Sequence, residues 1–233
     1  MKSHKVVAVR VAVRSRPLVS KELIEGCQVG ARQFPNSQSI VLGGDKTFTY
    51  DYVFGEESRQ VQVYDACVSK LLPKVFEGFN VTIFAYGQSG SGKTFTMGTS
   101  CSSNDDARSE DAGIIPRAVK DIFRHISTNT EKIFLVRVSF LEICNLTELN
   151  VTTPDETIRL LAVGSASRST ASTNMNMRSS QSHAIFTLII EQQAKSSSGA
   201  ITVAKFHLVD IAGSEGDGKA KIVAERLKEG SSS

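Results

Sequence analysis

Val81-Thr82-Ile83-Phe84-Ala85-Tyr86 runs directly into Gly87-Gln88-Ser89-Gly90-Ser91-Gly92-Lys93-Thr94, an apolar segment followed by the pattern G-x-x-x-x-G-K-[ST]. The apolar part reads as a buried strand and the rest as a phosphate-binding loop. Its glycines let the chain curl so that successive backbone N–H groups point inward at phosphate oxygens. Lys93 then reaches the outer phosphates, and the Thr94 hydroxyl is placed to ligate magnesium. Four constrained positions arise by accident in roughly one chain in a hundred of this length. The bland alternative, a glycine-rich turn with an exposed lysine, leaves the strand in front of the loop unexplained.

Outward from the loop, strand-like and helix-like segments follow one another. Val6-Val7-Ala8-Val9-Arg10-Val11-Ala12-Val13 is dense in β-branched residues and ends at Arg14-Ser15-Arg16-Pro17, where proline stops the ladder. Residues 47–54 carry aromatics at alternate positions and suit a short, half-buried edge strand. Residues 58–76 read as helical, and a further helix starts at Lys93-Thr94. The Ser-, Asn- and Asp-rich stretch 100–111 suits a surface loop. Pro116 fits the first turn of the next helix, whose apolar face is Ala118, Ile122, Phe123 and Ile126. Strands are expected over 133–143, 184–191 and 201–211, with the polar connection 192–200 joining the last two as an antiparallel hairpin. The expected fold is α/β, a mixed and mostly parallel central sheet flanked by helices, in one domain over 1–233 with no second domain.

Composition agrees with this. A chain of 233 residues with 40% hydrophobic content can bury one large core or two small ones, one α/β domain being the simpler reading, and a net charge of +3 gives no indication of nucleic-acid binding. Cys27, Cys67, Cys101 and Cys144 are scattered, with no C-x-x-C pair and no histidine at metal-ligand spacing. Reduced, mostly buried thiols are expected. No apolar stretch approaches a signal h-region or a membrane span, so the expectation is an intracellular protein without membrane contact. Nothing in the sequence reports its oligomeric state.

A nucleoside triphosphatase also needs an acid at a strand end to hold the magnesium shell, and a group that senses the terminal phosphate. Phe206-His207-Leu208-Val209 ends in Asp210, and Gly213 follows three residues later, where a backbone N–H can approach a phosphate unhindered. In isolation Asp210 reads equally well as a turn former after a strand. Ser179, Ser180 and Ser182 cluster with Asn176 and His183 and offer hydroxyls to magnesium or phosphate, although such a cluster is also an ordinary polar loop. His183 alone reads as a structural histidine.

Taken in order, Arg14-Ser15-Arg16-Pro17, the phosphate loop continued as Phe95-Thr96-Met97-Gly98, residues 176–183, and Asp210-Ile211-Ala212-Gly213-Ser214-Glu215 resemble the four nucleotide-site motifs of the kinesin motor domain. The family patterns are R-x-R-P, G-Q-T-G-S-G-K-T, N-x-x-S-S-R-S-H and D-L-A-G-S-E, and the resemblance runs from about residue 6 to 230. Residues 22–28 and 224–230 resemble the chromokinesin subfamily. The resemblance implies ATP or ADP with Mg2+ as cofactors. Arg14, Arg16 and Pro17 would surround the adenine, with Phe95 stacked on it. Gly87, Gln88, Ser89, Gly90, Ser91, Gly92, Lys93 and Thr94 would wrap the phosphates. Thr94, Ser180 and Asp210 would serve magnesium, the last through water, and Ser179, Ser180, Gly213 and Glu215 would act in hydrolysis. Microtubules are the implied partner and the cytoskeleton the implied location, in the cytoplasm or, for a chromokinesin, at the nucleus or spindle.

Three departures from the family pattern qualify this. The switch arginine of S-S-R-S-H is Gln181 here, so its ion pair with the residue matching Glu215 is replaced by at most a neutral amide contact. Leu141-Glu142-Ile143-Cys144-Asn145 is followed at once by Leu146-Thr147-Glu148, where the family places a further strand pair and a tubulin-facing loop. The chain also stops after Gly230, where the family begins its principal tubulin-binding helix, so the motor domain is expected to be incomplete. An ATP-driven motor, a nucleotide-binding module that does not move, and a product without a stable fold are the three expectations open at this point.

Overall fold

The computed structural model of the chain describes residues 9–34, 37–99, 107, 109–141, 148–173 (167–173 as backbone), 184–196, 200–211, 213 and 214. It divides into two compact units, Met1–Cys67 and Val68–Ser233.

In the first unit, β1 (Ala12–Arg14) pairs in parallel with β5 (Tyr52–Phe54). Here α1 (Ser20–Ile24) follows β1, and β2 (Ala31–Gln33), β3 (Ser39–Leu42) and β4 (Lys46–Thr49) form an antiparallel meander. The β3–β4 turn uses Gly43 and Gly44 at φ 60° and 100°, a region in which other residues are strained. The single strand expected over 47–54 is therefore two strands, because β4 belongs to the meander and β5 to the pair with β1. Of the first strand expected over 6–13, residues 9–11 lie outside any strand and β1 runs over Ala12–Arg14 alone, so the ladder takes in Arg14 and stops ahead of Pro17; residues 6–8 lie outside the described residues. The unit closes with α2 (Gln60–Cys67). Cys27 is exposed and Cys67 half-buried, so the expected burial fails for the former. Cys101 and Cys144 lie outside the described residues.

The second unit begins with a 3-10 turn (Ser69–Leu71), α3 (Leu72–Phe76), β6 (Val81–Ala85), α4 (Lys93–Met97) and α5 (Ile114–Thr128). It continues through β7 (Lys132–Leu141), β8 (Glu148–Val151), α6 (Pro154–Thr173), β9 (Ala184–Ala194) and β10 (Thr202–Asp210). The five strands form one sheet in the order β6-β10-β9-β7-β8. It is mixed, as expected, but the expected parallel majority is wrong. Only β6 and β10 run parallel; β10/β9, β9/β7 and β7/β8 are antiparallel. Connection length is the reason. The links after β7 and β9 are too short for the crossover of a dozen or more residues that parallel neighbours need, so the chain doubles back.

The helices lie on one face of this sheet. Gly164 of α6 sits against the Phe140 ring, Gln192 Nε2 donates to the Phe76 carbonyl at the end of α3 (2.6 Å), and Thr94 of α4 bonds Asp210. Phe186, Leu188, Ile190, Phe206 and Leu208 share that face and are buried, which makes it the core. The opposite face carries a salt-bridge triad in which Arg137 meets Glu148 and Glu191, and a Thr187–His207 hydrogen bond. α5 buries the predicted Ala118, Ile122 and Phe123, with Ile115 and Val119. α6 begins at a start signal, Thr153-Pro154-Asp155-Glu156. Thr153 Oγ1 accepts the Glu156 N–H (3.1 Å), and the Glu156 carboxylate accepts the Thr152 N–H (2.8 Å).

Candidate phosphate-binding site

The loop between β6 and α4 needs its glycines for two reasons. Gly87, Gly90 and Gly92 stand at φ 155°, 76° and 93°, and a Cβ on Gly87 would come within 2.7 Å of Ser91 Oγ. Gly92 caps α4 at its start and Gly98, at φ 77°, at its end. Lys93 Nζ folds back over the loop and donates to the carbonyls of Gly87 and Gln88, both at 2.8 Å. The ammonium is therefore held at the loop mouth by neutral acceptors, which a phosphate oxygen can replace with a stronger, charge-assisted bond.

Beneath the loop, Thr94 Oγ1 donates to Asp210 Oδ2 at 2.8 Å, across 116 residues of sequence. Asp210 is fully buried at the end of β10, placed there by the register Asp210↔Ala85 with β6. The same carboxylate oxygen receives Thr99 Oγ1 at 3.3 Å. Sequence reading did not single out Thr99, which follows the glycine that ends α4. The next strand-end contacts continue the junction, with Ile211 N–H donating to the Ala85 carbonyl and Ser214 N–H to the Gly87 carbonyl, both at 3.2 Å. Gly213 directly precedes Ser214 in this junction.

Phe95 lies on α4 and is half exposed. In the first unit, Arg14 donates to Gln60 Oε1 (2.8 Å) and the Ser58 carbonyl (2.9 Å). Arg16 forks onto Glu22 at 2.6 and 2.7 Å and also donates to the Pro17 carbonyl. That fork, with the Val19 N–H, holds the Glu22 carboxyl down at about 2. Ser179, Ser180, Gln181 and Glu215 lie outside the described residues, so their expected roles rest on sequence.

The donor set fits a magnesium nucleotide. Among the described residues no cluster of three or more His, Cys, Asp or Glu side chains is placed to hold a metal. Mg2+ does not require one, since it keeps several waters and takes only one or two protein ligands beside substrate phosphates. A hydroxyl at the loop's end, hydrogen-bonded to a buried carboxylate, is a matching pair.

A threonine hydroxyl resting on a strand-end aspartate beneath a glycine loop defines the class of phosphate-loop nucleotide-binding folds. Within that class the comparisons are specific. The kinesin motor domain model matches residues 14–145 and 143–233, and the chain belongs to that family. Curated relatives include the chromosome-associated kinesin KIF4 of Mus musculus and KIF4A of Homo sapiens. Each is 40% identical over 97% of this chain and 21% of its own length. Kinesin-like protein KIF27 of Mus musculus is 39% identical over 96% of the chain and 19% of its own. The solved structure of a fast kinesin superposes with a TM-score of 0.81 at 30% identity, covering 91% of this chain and 68% of that one. The chain thus spans about a fifth of the curated relatives it matches. The family match breaks at 143–145, inside the β7–β8 connection where the sequence reading finds a strand pair missing.

Among the described residues, no helix is long and apolar enough to cross a membrane.

Proposed function

We propose that the chain is a kinesin-type motor domain, single over 1–233, that binds ATP or ADP with Mg2+ and couples ATP hydrolysis to microtubule binding and movement. The observation that carries this is the Thr94–Asp210 hydrogen bond beneath the phosphate loop. Magnesium, when bound, neutralises phosphate charge and orients the terminal group. The chain's own residues do the rest. Backbone N–H groups of 89–94 line the phosphates, and Lys93 exchanges two carbonyls for phosphate oxygens. Thr94 would lend an oxygen lone pair to the cation while its hydroxyl proton stays directed at Asp210 Oδ2. Gly213, tied to the loop through Ser214, presents its N–H toward the terminal phosphate. By family motif, Ser179 and Ser180 would sense the same group. The relatives named as chromosome-associated support action at chromosomes, and action on the spindle or cytoskeleton is part of the same proposal.

Gln181 favours a second reading, a nucleotide-binding module with little turnover. A closed-state contact worth a few kcal/mol, once lost, slows chemistry by orders of magnitude, because about 1.4 kcal/mol is tenfold in rate. Titration with ADP in magnesium and in EDTA, followed by ATPase assay with and without microtubules, separates the readings. Binding with microtubule-stimulated turnover supports the motor; binding with negligible turnover supports the second reading. Absence of nucleotide binding in a folded chain removes both.

A further inference from the structure

Thr99 stands where three parts of the second unit meet. It is 3% exposed and immediately follows Gly98, the residue that ends α4. Its N–H donates to the Thr94 carbonyl (3.3 Å), its side-chain hydroxyl donates to Asp210 Oδ2 (3.3 Å), and its carbonyl accepts the Ser165 hydroxyl of α6 (2.5 Å). Asp210 Oδ2 therefore takes hydroxyl donors from both ends of α4. The two differ in what a ligand asks of them. Thr94 sits at the loop and must turn a lone pair outward when a cation arrives. Thr99 is buried, pinned through its main chain to Thr94 and α6, and has no ligand duty that would move it.

From this arrangement we infer that Thr99 is a positioning residue for the magnesium site, holding the Asp210 carboxylate in the rotamer from which it serves the cation and tying that rotamer to α6 through Ser165. The inference rests on the proposed magnesium-nucleotide reading and adds a residue that no sequence motif contains. At 3.3 Å the Thr99 bond is longer than the 2.8 Å bond from Thr94, so it is the weaker of the two, and its part is to limit where the buried carboxylate can turn.

The test is ADP affinity by calorimetry, with magnesium and with EDTA, for the wild-type chain, Thr99→Val, Thr99→Ser and Ser165→Ala, alongside the melting temperature of each without nucleotide. Thr99→Val keeps the shape and removes the donor. Its expected result is a drop of about threefold in the gain in affinity that magnesium provides, the loss of one long hydroxyl–carboxylate hydrogen bond. Affinity in EDTA should stay within twofold. Thr99→Ser restores the gain, and Ser165→Ala reduces it by a smaller factor. A Thr99→Val variant that keeps the full magnesium gain, or loses as much in EDTA as in magnesium, overturns the inference. Should Thr99→Val not fold, Thr99→Cys, with a weak donor of similar size, is held to the same criterion. A wild-type chain with no magnesium-dependent gain overturns the underlying nucleotide reading instead, so the two failures are distinguishable.

Discussion

Gly113→Ala should destabilise the second unit by steric conflict alone. Gly113 has φ −77° and ψ −164°, an extended conformation that alanine adopts without strain. Its neighbours are the difficulty. A Cβ there would lie 2.4 Å from Gly98 N, 2.6 Å from Gly98 Cα and 2.7 Å from the Met97 carbonyl carbon, all of them backbone atoms at the end of α4. A flexible side chain could swing away from such contacts, but the backbone of a capped helix end must be displaced bodily. Overpacking of this kind costs ~1–3 kcal/mol. For a chain of this length each 1 kcal/mol lowers Tm by about 2–4 °C, so calorimetry or circular dichroism should record a fall of roughly 2–12 °C. Gly98→Ala should fall further, because its φ of 77° adds a backbone penalty of ~1–2 kcal/mol to a 2.9 Å contact with Pro116 Cδ. Gly30→Ala, with nothing within 4 Å of its Cβ and no positive φ, should stay within about 0.5 kcal/mol of wild type. The displaced helix also carries Lys93 and Thr94, so Gly113→Ala should weaken ADP binding too. An unchanged Tm for Gly113→Ala would refute the reasoning, because no softer neighbour is available to absorb the methyl group.

Three further outcomes are expected. Gln181→Arg should raise Mg-ATPase turnover by restoring the charge and fork that a neutral amide lacks; an unchanged rate in a folded, ADP-binding chain would sink the switch argument. Stability should fall as pH drops below about 6.5. Burial, then the nearby Lys205, lowers the His207 pKa, and burial, then Lys132, lowers that of His125. The unfolded chain therefore takes up the protons first, and the effect is complete once pH passes below the folded values. His207→Gln should flatten the Tm slope between pH 7.5 and 5.5, and an unaltered slope would exclude His207 as a source. The Glu22 carboxyl is depressed from 4.5 to about 2 by the Arg16 fork and the Val19 N–H. Its stabilising contribution is present above about pH 4.5 and is lost as pH falls toward 2. Titration of that carboxyl by NMR should show a midpoint near 2 that moves up toward 4.5 in Arg16→Ala.

Much of the site was legible because its chemistry is local. The phosphate loop must be glycine-rich for its backbone to turn, the strand before it must be apolar to be buried, and the lysine and threonine must follow at fixed spacing. Those demands fall on fourteen consecutive residues, 81–94, and can be read without knowing what packs around them. Asp210 was legible for the same reason, as an acid at the end of an apolar run with a glycine just beyond. The start of α5 showed in Pro116 and its periodic apolar face. The helix beginning at Pro154 carries comparable start chemistry in Thr153 and Glu156.

What sequence alone determined, then, is that the chain has a phosphate loop, an acid to accompany it, and the four motifs of a kinesin motor domain with glutamine at the switch position. Tertiary structure decided which strands became neighbours. Strand pairing depends on connection length and on side chains scores of residues apart, and those factors turned an expected mixed, mostly parallel sheet into a five-stranded one with a single parallel pair among the described residues. It also decided that Thr99, 111 residues from Asp210 in the chain, shares its carboxylate oxygen with Thr94. A threonine after a helix-ending glycine has no distinguishing local pattern. Its significance arises only when β10 is laid beside β6 and the buried carboxylate comes within reach of its hydroxyl.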